Sequence, residues 1–254
     1  MAPRLALAPL PGLPEITPGD VLGDLLADAA GRLAGGLEAG DVLVVAHKVV
    51  SKAEGRVREL ADVAPGARAR ALAAEHDKDP RLVEVVLSES AQLVRADRGR
   101  LICRTRHGFV CANAGVDASN AGGPGRLVLL PLDPDGSARR LRARLRTRLG
   151  VAPAVVVTDS FGRAWRIGQA EVAIGCAGLA PVDDWRGRTD TDGRELHGTV
   201  IAIADEAASA ADLVRDKGSR EPAVRIRGLA RHVTAGDGPG AAALLRASAD
   251  DLFG

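Results

Sequence analysis

A 254-residue chain with three Phe, two Trp and no Tyr has to build its core from aliphatic side chains. Hydrophobic residues make up 46% of it, enough for a packed interior, and Ala, Leu and Val must supply most of that. At this length one large domain or two compact lobes is expected. So few rings argue against a stacking platform for single-stranded nucleic acid and against an aromatic cage for a cationic ligand. A formal net charge of +1 removes the general case for a polyanionic partner. Cys103, Cys111 and Cys176 are too few and too scattered for a disulfide framework, and Cys103 and Cys111 read as buried thiols.

Residues 1–13 carry one Arg and three Pro and do not read as a targeting signal. The longest apolar runs, 42–46 and 127–132, are strand-length and far short of a bilayer span. A cytoplasmic chain without a membrane partner is expected. With 30 Arg and only four Lys, each lysine is the more informative cation.

Mixed strand and helix signals without strict alternation predict an α+β fold with flanking helices rather than a doubly wound sheet. Pro18 suits the first turn of a helix whose Val21, Leu22, Leu25, Leu26 and Ala29 share one face. Residues 42–46 read as a buried strand. Asp79-Pro80 caps a helix with Leu82, Val85, Val86 and Leu93 as its stripe. Residues 101–104 and 109–112 read as a hairpin turning near His107-Gly108. A helix starts at Asp133-Pro134-Asp135 and ends at Gly150. Further strands are expected at 127–130, 154–157, 172–174, 199–203 and 223–226. Further helices are expected near 205–214 and over 241–252.

Four segments hold more polar residues and glycine than a core element needs: 11–16, 46–55, 113–120 and 158–168. In the last, Thr158-Asp159-Ser160 follows an apolar strand, where ligand groups commonly project. A carboxylate beside a hydroxyl offers hard oxygen donors for Mg²⁺ or Mn²⁺, and Arg163 and Arg166 suit a phosphate or carboxylate clamp. The same residues also fit an Asp-Ser turn with arginines in water. Asp117 supplies the second carboxylate that such a cation needs, and Asn120 a donor for a ribose, base or phosphate oxygen. An Asx-turn pair is the plainer account of both. Lys48 and Lys52 follow the strand at 42–46 as compact charges suited to phosphate, or as snorkelling lysines at a solvated strand end. No Gly-x-x-x-x-Gly-Lys-Ser/Thr pattern occurs. Arg139, Arg140, Arg142, Arg144, Arg146 and Arg148 read as the solvated face of a helix buried through Leu141, Leu145 and Leu149.

Taken together, several motifs resemble the coenzyme F420-0:L-glutamate ligase family, the γ-glutamyl ligases of deazaflavin biosynthesis. They are Gly-Leu-Pro-Glu-Ile at 12–16, Lys-Val-Val-Ser-Lys-Ala-Glu-Gly-Arg at 48–56, Asn-Ala-Gly-Val-Asp-Ala-Ser-Asn at 113–120, Leu-Asp-Pro-Asp-Gly-Ser-Ala at 132–138 and Thr-Asp-Ser-Phe-Gly-Arg-Ala-Trp-Arg at 158–166. Asp-Trp-Arg-Gly-Arg at 184–188 and Asp-Gly-Arg-Glu-Leu at 192–196 follow in the family's order.

The resemblance implies a two-lobed α+β domain across 1–254 that pairs as a homodimer. It implies GTP-dependent amide formation between F420-0 (or its dehydro precursor) and L-glutamate through an acyl phosphate, with extension of a γ-linked tail. It further implies Asp117, Asp159 and Ser160 as ligands of Mg²⁺ or Mn²⁺, with a monovalent cation as an allowed further cofactor. Leu13, Pro14, Glu15, Ile16, His47, Lys52 and Asn120 are implied GTP contacts. Two positions depart from the family: His47 stands where many relatives have a small hydroxyl, and Lys217 where archaeal relatives can place a second-metal Glu. These departures motivate an alternative, a non-catalytic or regulatory GTP-binding relative. Actinobacterial relatives continue into a flavin domain about where this chain stops, so it is expected to be the ligase module alone or a piece of such a fusion.

Overall fold

The computed structural model describes residues 4–215 and 218–251. In chain order the elements are β1 (Ala6–Pro9), α1 (Leu22–Arg32), β2 (Val42–Ala46), α2 (His47–Ala53), β3 (Val57–Glu59), α3 (Ala67–His76), α4 (Pro80–Glu89), β4 (Ser90–Asp97), β5 (Arg100–Thr105), β6 (Val110–Ala112), β7 (Arg126–Val128), α5 (Pro134–Leu149), β8 (Ala154–Arg163), β9 (Arg166–Ala177), β10 (Asp183–Asp184), β11 (Val200–Ile201), α6 (Ile203–Asp212) and β12 (Ala223–Arg227).

The uninterrupted apolar run of β2 demands cover on both sides, and it lies in the middle of a five-stranded sheet ordered β1-β12-β2-β8-β9. Only β2 and β8 run parallel; every other neighbour pair is antiparallel. Leu43, Val45, Val155 and Val157 pack with α1 and α5 on one face. Val42, Val44, Ala154 and Val156 pack with Ile203, Ala204, Ala207 and Ala211 of α6 on the other. The fold is thus α+β, a mixed sheet between helical layers.

A third core forms between α2 and α5. Ala69, Ala73, Val83, Val86, Leu101, Cys103, Leu127 and Leu129 join α3 and α4 to the antiparallel sheet β4-β5-β6 and the pair β3-β7. This is the second lobe. Cys103 and Cys111 are directly opposed across β5 and β6, buried and unbridged. Burial pushes the Cys111 thiol up to about 12, away from reactive thiolate chemistry.

Several expectations need correction. Thr17 donates from its amide and hydroxyl to Asp20, so 17–20 form a turn, Val21 is the N-cap and Pro18 lies outside the helix. Helix α4 ends at Glu89; Leu93 belongs to β4, pairing opposite Cys103. Beyond β8's apolar start the strand continues through Asp159 and Ser160 to Arg163, so these residues lie within a long hairpin rather than at a strand's end. Strand β11 is only two residues, and Ile203 already opens α6. The helix expected over 241–252 is replaced by 3₁₀ turns at Ala241–Leu244 and Ser248–Asp250, with residue 252 outside the described residues. Gly240 at φ 84° and the Asp135 carboxylate, which accepts from Ala241 N at 2.7 Å, fix that turn against α5. Lys217 also lies outside the described residues.

Candidate active site

The parallel register between β2 and β8 aligns Ala46 with Thr158. Side by side there, the chain enters α2 at the carboxyl end of β2 and continues within β8 as Asp159-Ser160. Ligands of α/β sheets commonly sit at this place. A cavity of about 520 Å³ near α1 and α5 is lined by Leu22, Val50 and Leu141. The larger one, about 920 Å³, opens at the carboxyl end of β2 beside the middle of β8.

Leu13, Pro14, Glu15, Ile16, His47, Lys52, Asp117, Asn120, Asp159 and Ser160 all line the larger cavity. The loop carrying Asp117 is set by backbone that few residues adopt: Asn113, Ala114 and Gly115 all have positive φ. A Cβ at Gly115 would stand 2.7 Å from Leu130. Asp117 then bridges to Val128 through two main-chain hydrogen bonds, and Asn120 is itself left-handed at φ 53°.

Cations meet these carboxylates. Lys48 Nζ donates to Asp117 Oδ2 at 2.6 Å and to both oxygens of Ser119. Burial raises the Asp117 carboxyl, but hydrogen bonds from Lys48 and Ser119 outweigh it and hold the group below its usual value. Lys52, mostly buried, pairs with Glu15 at 2.5 Å. Buried His47 places Nδ1 3.2 Å from Ser51 Oγ, while its Nε2 stands 3.2 Å from Asp159 Oδ1 without the alignment of a hydrogen bond. Asp159 Oδ1 accepts instead from Ser160 N at 2.8 Å.

Arg163 and Arg166 do not line this cavity. Arg163 turns back on its own hairpin, donating to Ile167 O at 2.7 Å, and both arginines are exposed near the tip with Trp165. Arg215 and Arg220 line the cavity instead, as does Glu171. Buried Glu171 accepts from Ser160 Oγ and pairs with Arg215 at 2.8 Å. A sequence signal existed for Glu171, a carboxylate followed at once by the apolar run Val172–Ala173–Ile174. None existed for Arg215, one arginine among 30.

Among the described residues no Phe or Trp lines the cavity. Phe109 and Phe161 pack edge to face at 6.1 Å, against the core. Trp185 donates to Asp183, and the Arg188 guanidinium sits 5.0 Å from the ring centre. Phe253 lies outside the described residues.

Among the described residues no group of three or more His, Cys, Asp or Glu is placed to hold a metal ion by itself. Mg²⁺ commonly takes one or two carboxylates and completes its shell with phosphate oxygens and water. Asp117, Asp159 and Ser160, which line one cavity, suit that chemistry.

The family model for F420-0:gamma-glutamyl ligase matches residues 12–228. The chain belongs to this family. It is 46% identical over 255 residues to the coenzyme F420:L-glutamate ligase of Methanopyrus kandleri, covering 99% of this chain and 98% of the relative. It is 40% identical over 250 residues to the protein of that name from Methanothermobacter thermautotrophicus, covering 98% of each. The Archaeoglobus fulgidus protein of that name is 44% identical over 227 residues, 89% of this chain and 88% of the relative. The family match spans every element that contributes a residue to the cavity. No helix among the described residues is long and apolar enough to cross a membrane.

Proposed function

We propose that this chain is a ligase that joins L-glutamate to coenzyme F420-0, or to its dehydro precursor, at the expense of GTP, and that it extends the γ-linked glutamate tail. The observation that carries the reading is convergence. Glu15, Lys48, Lys52, Asp117, Asn120, Asp159 and Ser160, from four separate segments, line one cavity in a chain 46% identical to a protein named coenzyme F420:L-glutamate ligase.

The chemistry asks little covalent work of the protein. The γ-phosphoryl group passes from GTP to an oxygen of the acceptor carboxylate, and GDP leaves. The glutamate nitrogen then attacks the acyl carbon; phosphate departs, a proton is released and the amide remains. Such transfers rest on positioning and charge neutralisation. Lys48 and Lys52 supply point charges for phosphate oxygens, and Arg215 and Arg220, which line the same cavity, suit the acidic ends of the substrates. Leu13, Pro14, Glu15, Ile16, His47 and Asn120 are the proposed GTP contacts. Asp117, Asp159 and Ser160 would hold Mg²⁺ or Mn²⁺, which supplies charge neutralisation at the phosphates. The remaining features of the reading are a homodimer, a monovalent cation as a further cofactor, and a cytoplasmic location.

The test is mass spectrometry of F420-0 incubated with the chain, GTP, glutamate and Mn²⁺. A product heavier by one glutamyl unit is expected. GTP binding without phosphate release or product, in the complete mixture, would instead establish a non-catalytic or regulatory GTP-binding relative.

A further inference from the structure

Glu171 is a carboxylate with 5% exposure, directly opposite Ser160 across the β8–β9 ladder. Burying a charge there is costly where Thr or Val would pack freely. Its surroundings offset that cost. Arg215 pairs with Oε2 at 2.8 Å and reaches Thr158 Oγ1 at 3.5 Å. Ser209 of α6 donates to the Glu171 carbonyl at 2.8 Å, tying that stretch of β9 to the helix below. The Ser160 hydroxyl donates to Oε1. Oε2 lies off the line of a hydrogen bond from Arg215 and is unpartnered in that sense. Glu171, Ser160 and Arg215 all line the cavity.

A serine hydroxyl has one proton and two lone pairs. When the proton is held by a buried carboxylate, only lone pairs are left to face the cavity. We propose that Glu171 is the positioning residue for Ser160: it accepts the hydroxyl proton, Arg215 compensates its charge, and Ser160 is thereby fixed as an oxygen donor for a divalent cation. The inference rests on the reading of Ser160 as a cation ligand in the proposed function. Outer partners of this kind orient ligands to metals generally.

The test uses the full chain and Mn²⁺ alone, with bound and free ion distinguished by electron paramagnetic resonance, in wild type, Ser160→Ala, Glu171→Ala and the double variant. Each single variant is expected to weaken Mn²⁺ binding roughly tenfold or more. The double variant is expected to be no weaker than the worse single one, because both remove the same donor. Losses that multiply, a Glu171→Ala affinity equal to wild type, or a wild type that binds no Mn²⁺ would each overturn the proposal. A lowered melting temperature with unchanged Mn²⁺ affinity, the mark of a purely structural carboxylate, also overturns it. If Glu171→Ala does not fold, Glu171→Gln carries the same cycle with a smaller loss, and multiplied losses again overturn the idea. Glutamyl product formation is measured separately. Product with multiplied Mn²⁺ losses sinks this inference alone; coupled losses without product sink the ligase reading alone.

Discussion

On α5, six arginines fall between residues 139 and 148, whereas the cavity draws Lys48 and Lys52 from α2 and Arg215 and Arg220 from the distant loop after α6. The α5 arginines are answered mainly by carboxylates of other elements that serve packing. Arg144 and Arg148 both reach Asp24 of α1, and Arg148 reaches Asp28 as well. Arg144's hydrogen bonds hold the Asp24 carboxyl at about 2. Arg140 meets Glu54, and buried Arg142 donates to Asp237 and to the carbonyls of Pro153, Thr234 and Ala235. Arg140, Arg144, Arg146 and Arg148 stay exposed, so the helix does present a solvated face, but its ion pairs and buried Arg142 also make it a clamp. In the cavity Lys48, Lys52 and Arg215 are paired too, but with Asp117, Glu15 and Glu171, which line the same cavity. Under the proposed function, a phosphate or cation arriving there would exchange one partner for another. Charge density along the sequence marks the clamp; convergence in space marks the site.

Substitutions can break that contrast. The largest effect is expected for Asp159→Ala, which removes a cavity carboxylate: turnover should fall roughly a hundred- to a thousandfold, as when one preorganised electrostatic group is lost, with the melting temperature little changed. Near-normal rates would remove Asp159 from the machinery. Arg142→Ala should act in the opposite sense, costing roughly 2–3 kcal/mol of stability through several lost charged hydrogen bonds while leaving the turnover of folded protein close to wild type. Denaturant unfolding alongside kinetics separates these. The smallest effect is expected for the double variant Arg163→Ala, Arg166→Ala. Neither residue lines the cavity, so kcat/KM should stay within about twofold, the range of surface changes. A much larger loss would make the hairpin tip a third cation region with a role in the reaction.

Much of the fold was legible wherever local chemistry and burial agreed. The run 42–46 reads as a strand covered on both faces and is one. Asp133 accepts from Gly136 N, and Gly150 ends the helix at φ 72°, so α5 runs between its expected signals. Asp135 shows the other use of a motif residue: it accepts from Cys176 N and Ala241 N and ties strand and turn to the helix, away from the cavity. By spacing Leu93 continues the α4 stripe, but pairing of β4 with β5 ends the helix earlier. The alanines at 241–243 carry helix propensity, a weak bias that the Asp135 contacts override.

The amino-acid sequence alone determined the aliphatic core, the α+β character, and the motifs whose residue types suit phosphate and hard cations. Those follow from propensity, periodicity and side-chain chemistry, which act over a few residues. Only the tertiary structure decided which charges share a space. The parallel pairing of β2 with β8 brings His47 beside Asp159, and the inserted lobe carries Asp117 to Lys48. The long hairpin sets Glu171 opposite Ser160 and sends Arg163 and Arg166 elsewhere. Such neighbours are fixed by strand order and loop closure, long-range properties that residue spacing along the chain does not encode.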